Sequence, residues 1–453
     1  ILFLSEEHPL DNTKDAEDYI TRLSLIDDQV SQLLERLEVS EDLGIMPPAV
    51  IVAWTSGTLQ NDLGGTRDPA AVRVRRLPLY ESFETRIELI EGLDDGARAD
   101  FLARAAEELE TSFVPAWVAL IDHIEGIRTK ASSDAGVWRL PDGDDYYEYL
   151  LRDHTSTDLT AGEIHQIGLE NVARVEMELR AACDQLGYSA DASIGELRER
   201  ARSDAGFIDG SSSPDGVVAE YTTLIDEASA QVRELFNLWP EAEVEIVPEA
   251  AGRGGYYVAA SVDGSRPGAF HAGVGGQIAA YTMPTITFHE AVPGHHTQIA
   301  IAQELQLPTF RRFIQYNGFA EGWALYAERL AADAGLYRAD PYGDIGRLEL
   351  ELLRAVRLVV DTGIHSLQWS RADAQDYMER TISGWSHEVE RYMVLPGQAT
   401  GYMIGMQTIL NLRDEVVDNG PLDLASFHDL VLGGGSVPLG VLESVVEGAA
   451  AGT

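Results

Sequence analysis

The 453-residue chain has a single cysteine, Cys183, so no disulfide can form within it. That cysteine sits in the helical pattern LRAACDQL and reads as a small packed residue. Basic residues are also scarce. Lys and Arg total 33 against 75 Asp and Glu, a formal net charge of −42. A chain of that sign repels nucleic-acid phosphates and anionic lipid, so neither is an expected partner. Long apolar runs are missing as well. AVIVAW (49–54) falls far short of the roughly 20 residues a bilayer-spanning helix needs. The opening residues ILFLSEEHPL lack the basic start and long apolar core of a signal peptide, and the expected location is cytoplasmic. The oligomeric state is not legible.

What is present is helical periodicity. DAEDYITRLSLIDDQVSQLLERLEVS repeats apolar residues at three- and four-residue spacing, as do ESFETRIELIEGL and the segment after it. Thr160 and Glu163 form a capping-box signature ahead of a helix that ends near Gly187. Helical patterns resume at 215–237, 310–335, 343–369, 371–392, 398–416 and 424–432. The exception is 242–286, where EVEIVPEAA, GGYYVAASV and QIAAYTMPTITF are β-branched or aromatic runs divided by Gly and Pro signals. These predict a small sheet of two or three strands, with TMPTITF as a strand laid along a cleft. The expected architecture is one mostly α domain over 1–453 with a deep cleft and that small β subregion.

Histidine is rare, at 11 residues, yet three histidines and a glutamate fall within eight residues, HEAVPGHH at 289–296. A zinc hydrolase needs side-chain ligands, an open position and a carboxylate that can take a proton from water. The HExxH helix supplies these by placing two histidines four residues apart on one face. Here that fourth position is Pro293. On a regular helix of about 100° and 1.5 Å per residue, His295 lies about 120° from the face of His289, and His296 about 10 Å along the axis. Neither shares a metal with His289 unless the helix breaks. Pro293 and Gly294 are suited to break it. A two-residue bulge there puts His295 beside His289 as ligand, Glu290 as base, and His296 toward substrate. A register shifted by one, with His296 as ligand, remains open.

A third ligand is expected from FAEGWALYAERL (319–330). Glu321 and Glu328 share a face with apolar neighbours, where a carboxylate needs a partner or a metal. Glu321 reads as the ligand and Glu328 as the group orienting a histidine. The competing reading is that both are solvated. Farther on, Arg354, Arg357, Asp361 and His365 form one stripe on an otherwise apolar helix. Such a stripe suggests a lined cavity, although a surface salt-bridge row fits the same spacing. The arginines suit a substrate carboxylate, His365 or Tyr402 suits a developing oxyanion, Gln398 lies one turn before Tyr402, and Asp361 reads as a supporting acid.

Taken together, HEAVPGHHTQ, EGWALYAE, LVVDTGIH, RYMVLPGQATGY, VDGSRPG and EIHQIG resemble the bacterial family known as domain of unknown function 885. The resemblance runs in order from HPLD near the start to beyond residue 405, with Thr297 standing where the family usually has Leu. That family resembles the thermostable (Taq-type) zinc carboxypeptidases. The resemblance implies a mostly helical fold with a long cleft. It also implies zinc held by His289, the PGHH histidine and Glu321, with Glu290 as base. The expected activity is hydrolysis of short peptides, carboxypeptidase- or dipeptidase-like. A metal-dependent amidase would use the same residues. A non-catalytic binding protein would have no need of Glu290. A di-iron bundle needs paired Glu-x-x-His helices, and none is found.

Overall fold

The computed structural model describes residues 1, 3–250 and 254–451. It divides into two compact units, Ile1–Asp134 with Arg139–Pro141, and Ala135–Trp138 with Asp142–Thr453.

The first unit is helical, with α1 (Thr13–Ser24), α2 (Ile26–Asp42), α3 (Ala49–Asp62), α4 (Pro78–Ile87), α5 (Asp95–Glu108) and α6 (Val114–Arg128). Asn12 caps α1 by accepting from the amides of Lys14 and Asp15. Tyr19 and Phe83 stack at 4.6 Å in its core, and the Tyr19 hydroxyl donates to Leu79 O at 2.8 Å. None of the site residues predicted from the sequence lies in this unit.

The second unit begins with α7 (Gly143–Thr155), α8 (Ala161–Gln185), α9 (Ile194–Ala205) and α10 (Pro214–Val232). The capping box of Thr160 and Glu163 opens α8 as its sequence predicts. After the sheet region come α11 (Met283–Glu290), α12 (His295–Glu304), α13 (Thr309–Phe313), α14 (Asn317–Asp333) and α15 (Pro341–His365). The chain closes with α16 (Arg371–Thr381), α17 (Val389–Val394), α18 (Gly401–Arg413), α19 (Leu424–Leu432) and α20 (Leu439–Ala451). The fold is mostly α with a small β region. Among the described residues no helix is long and apolar enough to cross a membrane.

Helix α15 is the spine of this unit. Val356, Leu358, Val359, Val360 and Ile364 are completely buried, on more than one face. It packs along α8, where Gly168 permits the approach: a Cβ there would lie 2.8 Å from Leu358 Cβ and from Val359 Cγ2. The α14–α18 pair is closer still, because Gly318 and Gly322 face Gly405. A Cβ on Gly405 would lie 1.8 Å from Gly318 O and 2.7 Å from Gly322 Cα. This crossing draws the start of α18, with Tyr402, onto the helix that carries Glu321.

The sheet differs from its sequence prediction in detail. Strands β2 (Glu245–Glu249), β4 (Ala269–Gly273) and β3 (Gly255–Val258) form one sheet in that order, β2 parallel and β3 antiparallel to β4. Strand β1 (Phe207–Asp209) pairs antiparallel with β5 (Gln277–Ala279). The short strands β1 and β4 carry too little pattern to be read from sequence. Residues 251–253 of the predicted β region lie outside the described residues. TMPTITF is a correction: it is the start of α11, not a strand. Pro284 occupies the first helical turn, where its missing N–H is harmless. The Thr287 hydroxyl donates to Met283 O at 2.8 Å, and Thr285 pairs with the Tyr337 hydroxyl at 2.7 Å. The segment is almost wholly buried, so burial overrides the strand preference of its β-branched residues.

Because the α14–α18 contact admits no side chain, Gly405→Ala should lower the unfolding free energy by about 1–3 kcal/mol or more in a denaturant titration. Gly440→Ala, where a Cβ meets nothing within 4 Å, should cause no loss.

Candidate metal centre

Helix α11 ends at Glu290 and α12 begins at His295, so the expected bulge is a complete break four residues long. The Val292–Pro293 peptide within it is cis. Gly294 is required by contact: a Cβ would lie 1.9 Å from His289 O and 2.4 Å from Phe288 O. The chain folds back against the carbonyl end of α11, which only glycine allows. The fully buried Trp323 of α14 then pins the break by donating from Nε1 to Pro293 O at 3.0 Å.

The break brings three donors together. His289 Nε2 lies 3.6 Å and His295 Nε2 3.5 Å from the same oxygen, Glu321 Oε2. Donor atoms of the three residues all fall within 4.8 Å of one another, the one such trio found among the described residues. These distances are too long for good hydrogen bonds. They match the roughly 3.3–3.5 Å that separates ligand atoms around a tetrahedral ion with bonds of about 2.0–2.1 Å. Glu321 Oε2 is buried and has no hydrogen-bond partner among the described residues, as a ligand atom facing an ion would be. The residues present therefore fit a divalent metal.

The electrostatics point the same way. Burial alone would raise the Glu321 carboxyl, but the two imidazoles hold it well below the usual carboxylate range. Burial works against a charged His289, yet Glu321 and Glu328 outweigh it and push its pKa up to about 9. His289 Nδ1 lies 2.7 Å from Glu328 Oε1, so in the neutral ring that a metal ligand must be, the proton sits on Nδ1 and Nε2 keeps its lone pair toward the trio. Glu328 is 1% exposed, and the Arg354 guanidinium lies 3.7 Å from it. Glu290 follows His289 directly and makes no hydrogen bond through its side chain among the described residues. Burial raises its carboxyl above the ordinary range, opposed by His289 and His295.

Tyr402 is also brought to the trio. Its ring lies parallel to that of His289, with centroids 6.3 Å apart, and Arg357 and Arg354 sit 5.0 and 5.9 Å from its centroid. Burial keeps the phenol protonated, aided by the Glu321 charge.

Other predicted residues are committed elsewhere. His365 is buried, with Nδ1 accepting from the Val137 amide at 3.1 Å and Nε2 facing Tyr392 O at 2.9 Å. Both ring nitrogens are engaged, so it has none to offer a substrate. His296 is turned away from the trio. One nitrogen faces the Tyr257 hydroxyl and the other Ala242 O, both at 3.1 Å, so its expected role toward substrate gives way to anchoring the segment before β2. Arg357 donates to the Tyr392 hydroxyl and Glu388. Gln398 is held by Asn317 and Arg391. Asp361 orients no histidine. It accepts the Tyr147 hydroxyl at 2.6 Å and the Gly397 amide at 3.0 Å, fixing the loop ahead of Tyr402, where Gly397 has φ +81°. Arg354 alone of the stripe keeps a buried guanidinium nitrogen, Nε, without a partner. Two contributors have no clear signal in the sequence: Trp323, which reads as core, and Arg391, whose charge also reaches Tyr402.

A mostly helical unit built around two histidines that flank a helix break and a glutamate from another helix is the class of protein this site defines. The chain belongs to the DUF885 family, bacterial proteins of unknown function, whose family model matches residues 1–446. A crystal structure of a candidate lipoprotein from Colwellia psychrerythraea is similar at 31% identity and a TM-score of 0.91, covering 99% of this chain and 78% of that one. A second, a candidate lipoprotein of unknown function from Shewanella oneidensis, shares the fold at 17% identity and a TM-score of 0.70, covering 98% of this chain and 80% of that one. No curated protein matches the chain.

Two outcomes test this geometry. Glu328→Ala should weaken zinc affinity by about 10–100-fold in a competitive chelator titration, whereas His296→Ala should leave it near wild type. The second concerns Asp361, whose carboxyl burial pushes up to about 7, against the hydrogen bonds from Tyr147 and Gly397. An unfolded Asp titrates near pH 3.9, about the usual value, so the fold retains a proton that the unfolded chain has lost. That stabilisation is present below about pH 4 and is lost as pH rises toward 7. Relative to Asp361→Asn, the wild-type melting temperature should fall across that interval. A constant difference would contradict the assignment.

Proposed function

We propose that the chain is a metal-dependent hydrolase of peptide or amide bonds, with zinc as its ion. The observation that carries this reading is the spacing of His289, His295 and Glu321, with Glu290 following His289 and making no side-chain hydrogen bond among the described residues. Two histidines and a glutamate are a donor set typical of catalytic zinc. His289, His295 and Glu321 would hold a dication, which when bound would supply Lewis acidity toward a carbonyl and toward water. The side chains supply the rest. Glu290 accepts the proton of the attacking water and returns it to the leaving nitrogen. The Tyr402 hydroxyl donates to the oxygen on which charge develops. Glu328 holds His289 in one tautomer and orientation.

Arg354, which lies by the Tyr402 ring and keeps Nε without a partner among the described residues, favours a substrate with a free carboxylate, which supports short peptides and a carboxypeptidase- or dipeptidase-like activity. The same carboxylate preference admits an N-acyl amino acid, and the amidase reading therefore stands beside the peptidase one. The likeness to thermostable zinc carboxypeptidases belongs to this proposal. So does location: relatives described as candidate lipoproteins favour a site outside the cytoplasm over the expected cytoplasmic one.

The deciding measurement is hydrolysis of a panel of dipeptides and N-acyl amino acids by zinc-loaded protein. Glu290→Gln should keep bound zinc and lose about 10²–10⁴-fold in rate. Equal rates for the two proteins, or failure of well-folded wild type to bind zinc, would sink the reading.

A further inference from the structure

Gln298 lies near the start of α12, three residues after His295. It is 1% exposed, and neither the oxygen nor the nitrogen of its side-chain amide has a hydrogen-bond partner among the described residues. Its backbone amide donates to Gly294 O at 3.1 Å. A buried primary amide can accept and donate several hydrogen bonds, and leaving all of them unmade is costly. Methionine would fill a similar space without that cost. One turn away, His295 Nδ1 is likewise buried and without a partner among the described residues.

Helix geometry sets where this amide lies. At about 100° per residue, Gln298 leaves α12 about 60° around from His295 and about 200° from His296. His296 faces Tyr257 and Ala242, so Gln298 lies across the helix from that contact and on the side of His295. Residues three apart have Cβ atoms about 5–6 Å apart, and a helical side chain leans toward the N-terminus, over the residue three or four before it. Gln298 therefore leans over His295. The His295 ring has Nε2 at the trio, 3.5 Å from Glu321 Oε2. Its Nδ1, the ring nitrogen nearer the backbone, stays beside the first turn of α12. A histidine ligand is neutral and carries its proton on the nitrogen away from the ion, and that proton needs an acceptor. Glu328 meets the need for His289, and no described residue hydrogen-bonds Nδ1 of His295. The terminal torsion of a glutamine is broad, so its oxygen turns toward Nδ1 at little cost.

We propose that Gln298 is a positioning residue of the metal centre, whose Oε1 accepts the Nδ1 proton of His295 when Nε2 holds the ion. The assignment rests on the metal-binding part of the reading above and deepens it. A neutral acceptor suits this place, because Glu290, Glu321 and Glu328 already set three carboxylates around the two histidines. The histidines are then oriented by unlike partners, His289 by an anion and His295 by an amide.

The test is a competitive chelator titration of zinc with the full chain as wild type, Gln298→Met and Gln298→Glu. Without metal, Gln298→Met should unfold at the wild-type temperature or higher, since no protein hydrogen bond is lost. Its zinc affinity should nonetheless fall by about 10–100-fold. Gln298→Glu restores an acceptor and should bind zinc at least as tightly as wild type. Its metal-free form should unfold at a lower temperature, because the new carboxylate is buried. A packing role alone would not separate zinc affinity from stability in this way. Equal zinc affinity in wild type and Gln298→Met overturns the proposal, whatever the unfolding temperatures. So does the same loss of affinity in Gln298→Glu as in Gln298→Met. If Gln298→Met does not fold, Gln298→Leu replaces it with the same expectations. If zinc affinity splits as expected while wild type cleaves no peptide or amide, the hydrolase reading fails and the role of Gln298 stands. If well-folded wild type binds no zinc, both fail.

Discussion

The site depends on the backbone contact at Gly294. The chain can bring His295 beside His289 only by folding back onto the carbonyl end of α11, and a side chain at 294 would overlap His289 O. Trp323 then ties the returned segment to α14, the helix that supplies Glu321. One glycine and one indole hydrogen bond thus fix the separation of three donors from two neighbouring helices and a third. The Gly318–Gly322–Gly405 crossing does the equivalent for Tyr402. Close backbone approach, rather than side-chain packing alone, assembles the centre.

Around this centre the unit carries many buried charges, and nearly all have partners on other helices. On α15, Glu351 meets Arg347 and Arg174, while Glu349 is held by Arg198, Tyr281 and Trp385. Burying ions is costly unless each is paired and hydrogen-bonded, and pairing of this kind specifies where a helix sits more than it adds net stability. Arg357, Asp361 and His365 belong to the same scheme. A polar stripe on a buried helix can line a cavity or can meet internal partners. On α15 it mostly meets partners, and Arg354 is the member with donor capacity left over. Among the described residues, Glu321 Oε2 and His295 Nδ1 of the trio are buried without a hydrogen-bond partner, and so is Nε of Arg354, whose guanidinium lies 3.7 Å from Glu328.

Much of the helical architecture was legible because it rests on local signals. The capping box at Thr160, the stripe spacing of α14 and α15, and the start of α19 at residue 424 each follow from periodicity or cap chemistry. TMPTITF misled because a fully buried segment shows no amphipathic period, and its threonines satisfy their hydroxyls within the helix or across to Tyr337. Strand β4 was not legible because AFHAG is short, and its identity comes from partners on both edges. His365 and His296 looked available because sequence spacing gives the face a side chain leaves from, not the carbonyls it meets.

The sequence by itself determined the helical class and the acidic character. It also required that any metal shared by the histidines of HEAVPGHH needs a break at Pro293–Gly294, since helix geometry forbids the alternative. It named Glu321 and Glu328 as carboxylates that a buried face must neutralise. Only the tertiary structure decided that the break is a full return of the chain and that His295 rather than His296 faces Glu321. Those choices depend on contacts between segments far apart in the chain, whose separation no local pattern encodes.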